Sequence, residues 1–262
     1  MTEKKEIFGI SQIQLLRHEI HQPNITLHAK LVIIVDQLNL VKRDFGKNNL
    51  ELSQRIDQII GDAEAASSYS TIFATIIENI FSTFDEEDAI LYNVSRCNLY
   101  KIILESQRIF VLQTKNIVFK NNNFDNTTSK HVEIDKGQIM RAFINIYQNA
   151  IKFSYYGSKD STRYIETDVI PSDKKIKATI KNYGTGILRD EIPLIFQKGY
   201  RGKLASDRHR TGAGIGLFEV KKIIEAHHGK VEISSYPQSD DIITGPYLTE
   251  VSISLPYFQN SE

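Results

Sequence analysis

Apolar residues recur every three or four positions along the first third of the chain, a pattern that predicts two long helices. Good turn residues at 46–49 separate the two stripes. The second stripe alternates steps of four and three, which is the spacing of a coiled-coil seam. The first stripe contains Ile13, Leu16, Ile20, Leu27, Leu31, Ile34, Leu38, Val41 and Phe45, and the second contains Leu52, Ile56, Ile59, Ala63, Ala66, Ser70, Phe73, Ile77 and Ile80.

Two antiparallel helices joined by a short turn make a hairpin, and a single hairpin cannot enclose such a seam from both sides. We therefore expect two copies of the chain to pair through their hairpins as a four-helix bundle, which makes the protein a homodimer. The alternative is that the hairpin packs on the rest of its own chain.

The pattern changes after an acidic stretch centred on residues 85–88. Short alternating strands are then grouped with helices, without regular βαβ alternation, so we expect an α+β domain with a layer of helices on a sheet. The predicted domains are a helical hairpin at 8–82, a linker at 83–97 and the α/β domain at 98–258. We predict helices at 99–114, 136–154 and 217–226, and strands at 116–120, 164–170, 175–181, 231–235 and 250–255.

Composition narrows the class of protein. The formal net charge is zero, so no basic field favours nucleic acid or an anionic membrane. The single cysteine, Cys97, excludes an internal disulfide framework. The longest aliphatic block, 31–35, is far shorter than the roughly 20 residues that span a bilayer, and the N-terminus has no signal core. We expect a cytoplasmic protein without a membrane span.

A glycine-rich turn, Thr211-Gly212-Ala213-Gly214-Ile215-Gly216-Leu217, runs directly into the helix predicted at 217–226. Alternate glycines let backbone N–H groups approach phosphate oxygens, and the helix N-terminus behind them adds partial positive charge. Glycine turns before helices are common, so this segment needs support from other segments.

A polar row lies on the helix at 136–154, opposite an apolar face. Asn145, Asn149 and Lys152 follow one another at steps of four and three. One interpretation is a solvated surface. The other is a nucleotide site, because an asparagine oxygen is a suitable neutral ligand for Mg²⁺ and a lysine one turn on can neutralise phosphate.

A second glycine turn, Asn182-Tyr183-Gly184-Thr185-Gly186-Ile187, follows the strand at 175–181. Two glycines at a strand end permit a close approach to a flat ligand, although a plain loop has the same composition. A basic loop comes next, and it either covers phosphates as a lid or is simply solvated. Its cationic residues are Lys198, Arg201, Lys203, Arg208, His209 and Arg210.

Together these segments resemble the ATP-binding domain of sensor histidine kinases. The stretch Asn145–Phe153 looks like the N-box, Asn182–Ile187 the first glycine box, Phe196 the F-box and Gly212–Leu217 the second glycine box. Upstream, His18-Glu19-Ile20-His21-Gln22-Pro23 resembles the H-box. The likeness covers residues 10–258 and implies the nucleotide fold that gyrase, Hsp90 and MutL ATPases share, known as GHKL.

The resemblance assigns a role to each matching residue. His18 would attack the γ-phosphoryl group of ATP and pass it to an aspartate in the receiver domain of a response regulator, and Glu19 would accept the other imidazole proton. Asn149 would bind Mg²⁺, with Asn145 and Lys152 in the same site. The ATP contacts would be completed by Gly184, Gly186, Ile187, Arg201, Gly212, Gly214, Gly216 and Leu217.

Hairpin arithmetic about the predicted turn places His18 opposite residues near 78, beside the linker to the ATP-binding domain. We read the other histidines as surface or structural residues. His227 and His228 lie near a helix C-terminus, where their charge suits the helix dipole. Metal-ligand spacing is absent from the sequence.

Two positions depart from the family pattern. Asn182 stands where the family usually has an aspartate that accepts from the adenine amino group. A neutral hydrogen bond contributes about 0.5–1.5 kcal/mol against about 1.5–3 for a charged one, so we expect weaker ATP binding and an uncertain base selectivity. Gln22 stands where many relatives carry threonine or asparagine to orient water, and phosphatase activity stays an open possibility.

We see no sensor region in the sequence and therefore expect a separate sensory partner or ligand. Two other functions remain in view. One is a pseudokinase that senses nucleotide and docks a partner through its hairpin, and the other is a GHKL-type ATPase. Asn182 slightly favours the pseudokinase, whereas the His18–Glu19 pair and Asn149 favour the kinase.

Overall fold

The computed structural model divides the chain into two compact units, the first of residues 1–89 and 109–113 and the second of residues 90–108 and 114–262. The first contains two antiparallel helices, α1 at 27–43 and α2 at Leu50–Phe81. The turn predicted at 46–49 lies outside the described residues. The structure describes residues 24, 27–43, 50–81, 93–111, 114, 117–124, 131–154, 163–206, 213–243 and 245–257.

Hydrogen bonds fix the register of the two helices. The Asn24 side chain donates to the Ser70 carbonyl over 2.7 Å, and Ser67 Oγ lies 2.9 Å from His28 Nδ1. Further along, Lys42 forms an ion pair with Asp57. This pairing follows the register that a turn at 46–49 predicts and shows that the two helices are antiparallel over their described residues.

The apolar seam of each helix splits into two sets spaced seven residues apart. In α2, Ile56, Ala63 and Ser70 are buried. The alternate set in α2, Leu52, Ile59, Ala66 and Phe73, is exposed. In α1, Leu31 and Leu38 are half-buried, whereas Leu27, Ile34 and Val41 are exposed. Among the described residues, one set of the predicted seam therefore packs within the hairpin, and the alternate set is exposed.

A five-stranded mixed sheet forms the centre of the second unit, in the order β2-β4-β5-β7-β6. β2 and β4 are parallel, and every other neighbouring pair is antiparallel. The predicted hairpin of two alternating strands is confirmed as β4 and β5. The strands are β2 at Ile117–Asn122, β4 at Arg163–Pro171, β5 at Lys175–Gly184, β6 at Lys230–Pro237 and β7 at Tyr247–Pro256.

Two helices, α4 at Lys136–Phe153 and α6 at Gly216–Ala226, contact each other and pack on this sheet. Alternation along β5 explains the layer, because Ile176, Ala178 and Ile180 are buried while the residues between them, Lys177 and Thr179, are not. The described part of this unit also contains residues 99–108 of α3, which spans Leu99–Val111, and the short α5 at Lys203–Ser206. The expected α/β layer of helices on a sheet is confirmed.

A separate two-stranded antiparallel sheet was not expected from the sequence. β1 at Val94–Asn98 pairs with β3 at His131–Asp135. Residues 94–97, which the sequence assigns to the linker, therefore belong to this second unit. The misreading has a local cause: β1 is exposed at its first three positions and carries no apolar alternation.

The end predicted for α6 is confirmed, since the helix ends at Ala226. The left-handed residue after it is His228, with φ 54°. Gly229 follows, and a Cβ there would lie 2.6 Å from the Ser254 carbonyl oxygen. Close packing against β7, and not helix termination, excludes a side chain at this position.

His227 is buried rather than exposed to solvent at the helix end. Its Nε2 accepts from the Asp135 backbone N–H over 3.0 Å, so Nδ1 carries the proton and donates to the Ile223 carbonyl oxygen over 2.7 Å. Burial lowers the pKa of this imidazole, with a smaller contribution from His228, against opposing effects of Ile223 and Asp135. The expectation of a charged histidine favoured by the helix dipole is wrong for His227, which is neutral and structural.

Within the described part of the chain, no helix combines the length and the hydropathy needed to cross a membrane.

Candidate functional site

The asparagine row of α4 meets the second glycine turn. Asp135 caps this helix, since its Oδ1 accepts from the Gln138 backbone N–H over 3.0 Å. Asn145 is only 3% exposed. A Cβ built on Gly216 would lie 3.4 Å from Asn145 Oδ1 and 3.8 Å from Asn149 Nδ2. A solvated face is therefore the wrong interpretation for Asn145, which is buried beside the start of α6.

Gly214 and Gly216 lie at the start of α6, which has no side-chain cap. Gly214 has φ 71°, and a Cβ there would lie 2.6 Å from the Tyr200 carbonyl oxygen. Its own carbonyl accepts from the Gly199 backbone N–H over 3.0 Å, which ties the turn to the preceding loop. Ile215, at the N-cap position, provides no capping side chain. The first N–H groups of α6 are thus suited to an anion.

Two further residues that the sequence predicts for this site, Lys152 and Leu217, are half-buried. Lys152 is half-buried, and its Nζ lies 4.9 Å from the ring centroid of Phe153. Leu217 is half-buried in the first turn of α6. Gly212 lies outside the described residues.

A buried ion pair joins α4 to α6 near the glycine turn. Arg141 Nη2 donates to Glu219 Oε2 over 2.7 Å, and the side chains are 11% and 0% exposed. Glu219 lies in the first turn of α6, only three residues after Gly216. The pair therefore fixes the asparagine-bearing helix relative to the turn, and the sequence analysis missed it because neither residue belongs to a motif.

The first glycine turn packs against the end of α4. A Cβ on Gly184 would lie 1.9 Å from the Phe153 carbonyl oxygen. That same oxygen accepts from the Thr185 backbone N–H over 2.8 Å, and Ser154 bridges to Gly184 in antiparallel fashion. No residue with a side chain fits at 184, so the glycine is required by backbone contact with α4.

The rest of this turn is held by β6 and β7. A Cβ on Gly186 would lie 2.0 Å from the Tyr247 ring. The Ile187 backbone N–H donates to Ser235 Oγ over 3.1 Å, and Ser235 Oγ lies 2.9 Å from Thr249 Oγ1. Both glycine turns therefore contact α4. The first packs against its C-terminal end, and the second lies beside Asn145 and Asn149.

Asn182 is buried at the end of β5, on the face that packs against the helices. It is 6% exposed, and its Nδ2 makes no hydrogen bond to any described residue. Register places it opposite Thr249 of β7, which in turn is opposite Ser235 of β6. Thr185 Oγ1 is likewise buried without a partner among the described residues.

Sequence reasoning missed Thr185, Ser235 and Thr249. A signal for Thr249 exists in the alternation of β7, where the inward series reads Thr249, Val251, Ile253 and Leu255. A polar residue at the end of an apolar inward series indicates a site rather than core. Finding its neighbours required the strand register, which the sequence does not supply.

The basic loop is only partly described. Arg201 is exposed, and Lys203 Nζ lies 3.7 Å from Asp190. The loop is organised by Glu191, which is 1% exposed and accepts from Tyr200 Oη and from the Lys203 backbone N–H, each over 2.9 Å. Residues 207–210 lie outside the described residues, as do His18, Glu19 and Gln22 of the H-box-like segment.

The chemistry available is that of neutral amides and backbone N–H groups. In the described part of the chain, no cluster of three or more histidine, cysteine or acidic residues is placed to hold a metal ion. Two carboxamides beside an open helix N-terminus suit a polyanion accompanied by a hard cation such as Mg²⁺.

Residues 134–257 match the family described as "Histidine kinase-, DNA gyrase B-, and HSP90-like ATPase". The match lies within the second unit, and the curated proteins that the chain resembles are sensor histidine kinases. Sensor histidine kinase WalK of Bacillus subtilis is 28% identical over 132 residues, which cover 50% of this chain and 20% of WalK. The probable sensor kinase SilS of Salmonella typhimurium is 23% identical over 222 residues, which cover 84% of this chain and 41% of SilS.

The chain spans less than half the length of these relatives. Among solved structures, the mycobacterial sensor histidine kinase MprB is 21% identical with a TM-score of 0.51, covering 62% of this chain and 97% of the solved chain. Full-length ShkA in complex with AMPPNP is 14% identical with a TM-score of 0.53, covering 96% of this chain and 47% of that chain. At these identities the structural likeness shows the fold alone.

Proposed function

We propose that this chain is a protein histidine kinase of a two-component system, which phosphorylates His18 from ATP and passes the phosphoryl group to an aspartate on a response regulator. The observation that carries the proposal is the apposition of Gly216 with Asn145 and Asn149, within residues that match the ATPase family. The proposed organisation keeps a helical hairpin at 8–82 and an ATP-binding domain that begins with β1.

Nucleotide binding is divided between the two glycine turns. The turn at Gly212–Leu217 would hold the triphosphate on the N-terminus of α6, with Arg201 and Lys152 as cationic contacts. Gly184, Gly186 and Ile187 would border the base. ShkA, solved with AMPPNP, has the same fold, which supports a nucleotide here.

The residues present fit Mg²⁺ carried with the triphosphate. Asn149 is half-buried beside the glycine turn and offers a carboxamide oxygen, a hard and neutral ligand. Asn145, buried next to it, would orient the same group. Bound Mg²⁺ would supply charge neutralisation on the phosphate oxygens.

The transfer step uses residues of the H-box-like segment. An imidazole nitrogen of His18 forms a bond to the γ-phosphorus while the bond from that phosphorus to the β–γ bridging oxygen breaks, and ADP leaves. Glu19 accepts the proton from the other ring nitrogen as positive charge develops on the imidazole. Positioning and charge neutralisation supply most of the rate.

A homodimer would cover the exposed apolar faces of the hairpin. The exposed sets in α1 and α2 both recur every seven residues, the pattern of a surface that packs against other helices. Phe73 and Ile59 are 46% and 50% exposed, an unfavourable state for large apolar side chains aligned on one face. A second copy would bury both sets in a four-helix bundle.

Two alternatives are tested alongside the kinase. A pseudokinase would bind nucleotide without transferring phosphate, and an ATPase would release phosphate without labelling itself. Phosphatase activity through Gln22 and input from a separate sensory partner are further parts of the proposal.

The experiment is incubation of the full chain with γ-labelled ATP and Mg²⁺, followed by acid and base treatment of the protein. The kinase predicts label that is labile in acid and stable in base, lost in His18→Ala and retained in His28→Ala. Binding without label or turnover supports the pseudokinase, and free phosphate without protein label supports the ATPase. Either result overturns the proposal.

A further inference from the structure

One buried amide nitrogen at the first glycine turn lacks a hydrogen-bond acceptor among the described residues. Asn182 is 6% exposed, and its Nδ2 finds no acceptor in the described part of the chain. Buried polar groups are almost always paired, so an orphaned amide at a ligand-binding turn indicates a partner that arrives with the ligand.

The surroundings of Asn182 show that this end of the sheet is built for a polar ligand edge. One step into the sheet, register aligns Ile180, Val251 and Ile233 across β5, β7 and β6. At the end of the sheet the corresponding positions are Asn182, Thr249 and Ser235. An apolar row is replaced by a row of side chains that both donate and accept hydrogen bonds.

The second orphaned group has the same double capacity. Thr185 Oγ1 is buried without a partner among the described residues, three positions from Asn182 on the same turn. A hydroxyl rotates to donate or to accept, and a carboxamide does so by turning its planar group through 180°. Each group can therefore pair with either a hydrogen-bond donor or an acceptor on the edge of the ligand.

We infer that Asn182 reads the six-position of a purine as either donor or acceptor, so that the site binds both 6-amino and 6-oxo purine nucleoside triphosphates. This inference rests on the proposed function, which places the base at this turn. In one orientation, Asn182 Oδ1 accepts from the amino group of adenine. Turned over, Nδ2 donates to the 6-oxo oxygen of hypoxanthine.

A carboxylate at this position would discriminate between the two bases. It presents acceptors only, so it would accept from a 6-amino group and face a 6-oxo oxygen with repulsion. Asn182→Asp should therefore create the selectivity that the natural residue lacks, while the rest of the site is unchanged.

Isothermal calorimetry on the full chain tests this with ATP and ITP, each with Mg²⁺. ITP differs from ATP only at the six-position and N1, and it lacks the extra 2-amino group of GTP. We expect the dissociation constants for the natural protein to agree within about tenfold, as the exchange of one neutral hydrogen-bond pair for another implies. In Asn182→Asp the preference for ATP should grow by about ten- to a hundredfold.

Asn122→Asp is the matched control, because it adds the same charge at an exposed position at the end of β2. Its ratio of ATP to ITP affinity should equal that of the natural protein. If the natural protein binds ATP and rejects ITP by more than about a hundredfold, the inference is overturned while the proposed function stands. The same holds if Asn182→Asp folds, binds ATP and keeps the natural ratio.

Absence of binding to either nucleotide overturns the inference and the proposed function together. Comparable binding of both by the natural protein supports the inference even if Asn182→Asp does not fold.

Discussion

Arg141 of α4 and Glu219 of α6 form an ion pair of 2.7 Å that is almost completely removed from solvent. It joins the two helices whose ends carry the asparagine row and the second glycine turn. Two desolvated charges are tolerated there because they pair with each other. The pair therefore controls the geometry of the site without belonging to it.

Removing one member of this pair should lower the free energy of unfolding. Arg141→Met leaves Glu219 buried without its cation, and we expect a loss of about 3–5 kcal/mol in the free energy of unfolding. The double variant Arg141→Met with Glu219→Leu should be more stable than either single variant. Chemical denaturation measures both, and simple additivity of the two single losses would contradict this account. Arg55→Met, at the exposed pair with Glu51, is the control and should be nearly neutral.

Alanine substitutions at Gly214 and Gly199 distinguish the effect of backbone strain from that of steric exclusion. Both have positive φ, but a Cβ at 214 would meet the Tyr200 carbonyl oxygen at 2.6 Å, whereas at 199 nothing lies within 4 Å. Gly199→Ala should lose only about 1–2 kcal/mol of stability and keep its affinity for ATP. Gly214→Ala should lower that affinity at least tenfold as well, in calorimetry with ATP and Mg²⁺. Equal affinities in the two variants would refute the role of the turn.

The neutral state of His227 makes the ATP-binding domain sensitive to acid. Its pKa is lowered in the folded state, so the unfolded chain takes up the proton first as pH falls through about 6.5. Stability is therefore full above that pH and declines below it, by at most about 1.4 kcal/mol per pH unit, until the folded pKa is reached. His227→Gln should flatten this part of the curve of unfolding free energy against pH, and the exposed control His228→Asn should not.

The uncovered seam of the hairpin predicts an assembly that a single charge disrupts. Ile59→Glu places a carboxylate on the exposed set of α2, where a second copy would bury it. Light scattering should report a dimer for the natural chain and a monomer for Ile59→Glu. Gln58→Glu adds the same charge on the neighbouring, exposed side and should remain dimeric. A monomeric natural chain would contradict the proposed bundle.

Local patterns in the sequence were sufficient for most elements of the second unit. The helix over 136–154 and the β4–β5 hairpin follow from periodicity, because each buries one face of a regular element. β1 and β3 were not predicted, since strands of five residues carry too few positions for a pattern. The parallel pairing of β2 with β4 joins segments far apart in sequence, which local patterns do not report.

For the site, the motifs identified which residues to examine, and tertiary packing decided their environment. Asn145 was equally compatible with solvent, and only the position of α6 shows that it is buried. The pairing of Arg141 with Glu219 and the alignment of Thr249 with Asn182 depend on helix packing and strand register. No periodicity in a single segment contains that information.

The central claim is that the γ-phosphoryl group of ATP reaches His18. The most direct test is peptide mapping by mass spectrometry, under neutral conditions that preserve phosphohistidine, after the full chain has been incubated with ATP and Mg²⁺. We predict a phosphate on the imidazole of residue 18. An unmodified His18, with phosphate on His21, on another residue or on none, would contradict the account.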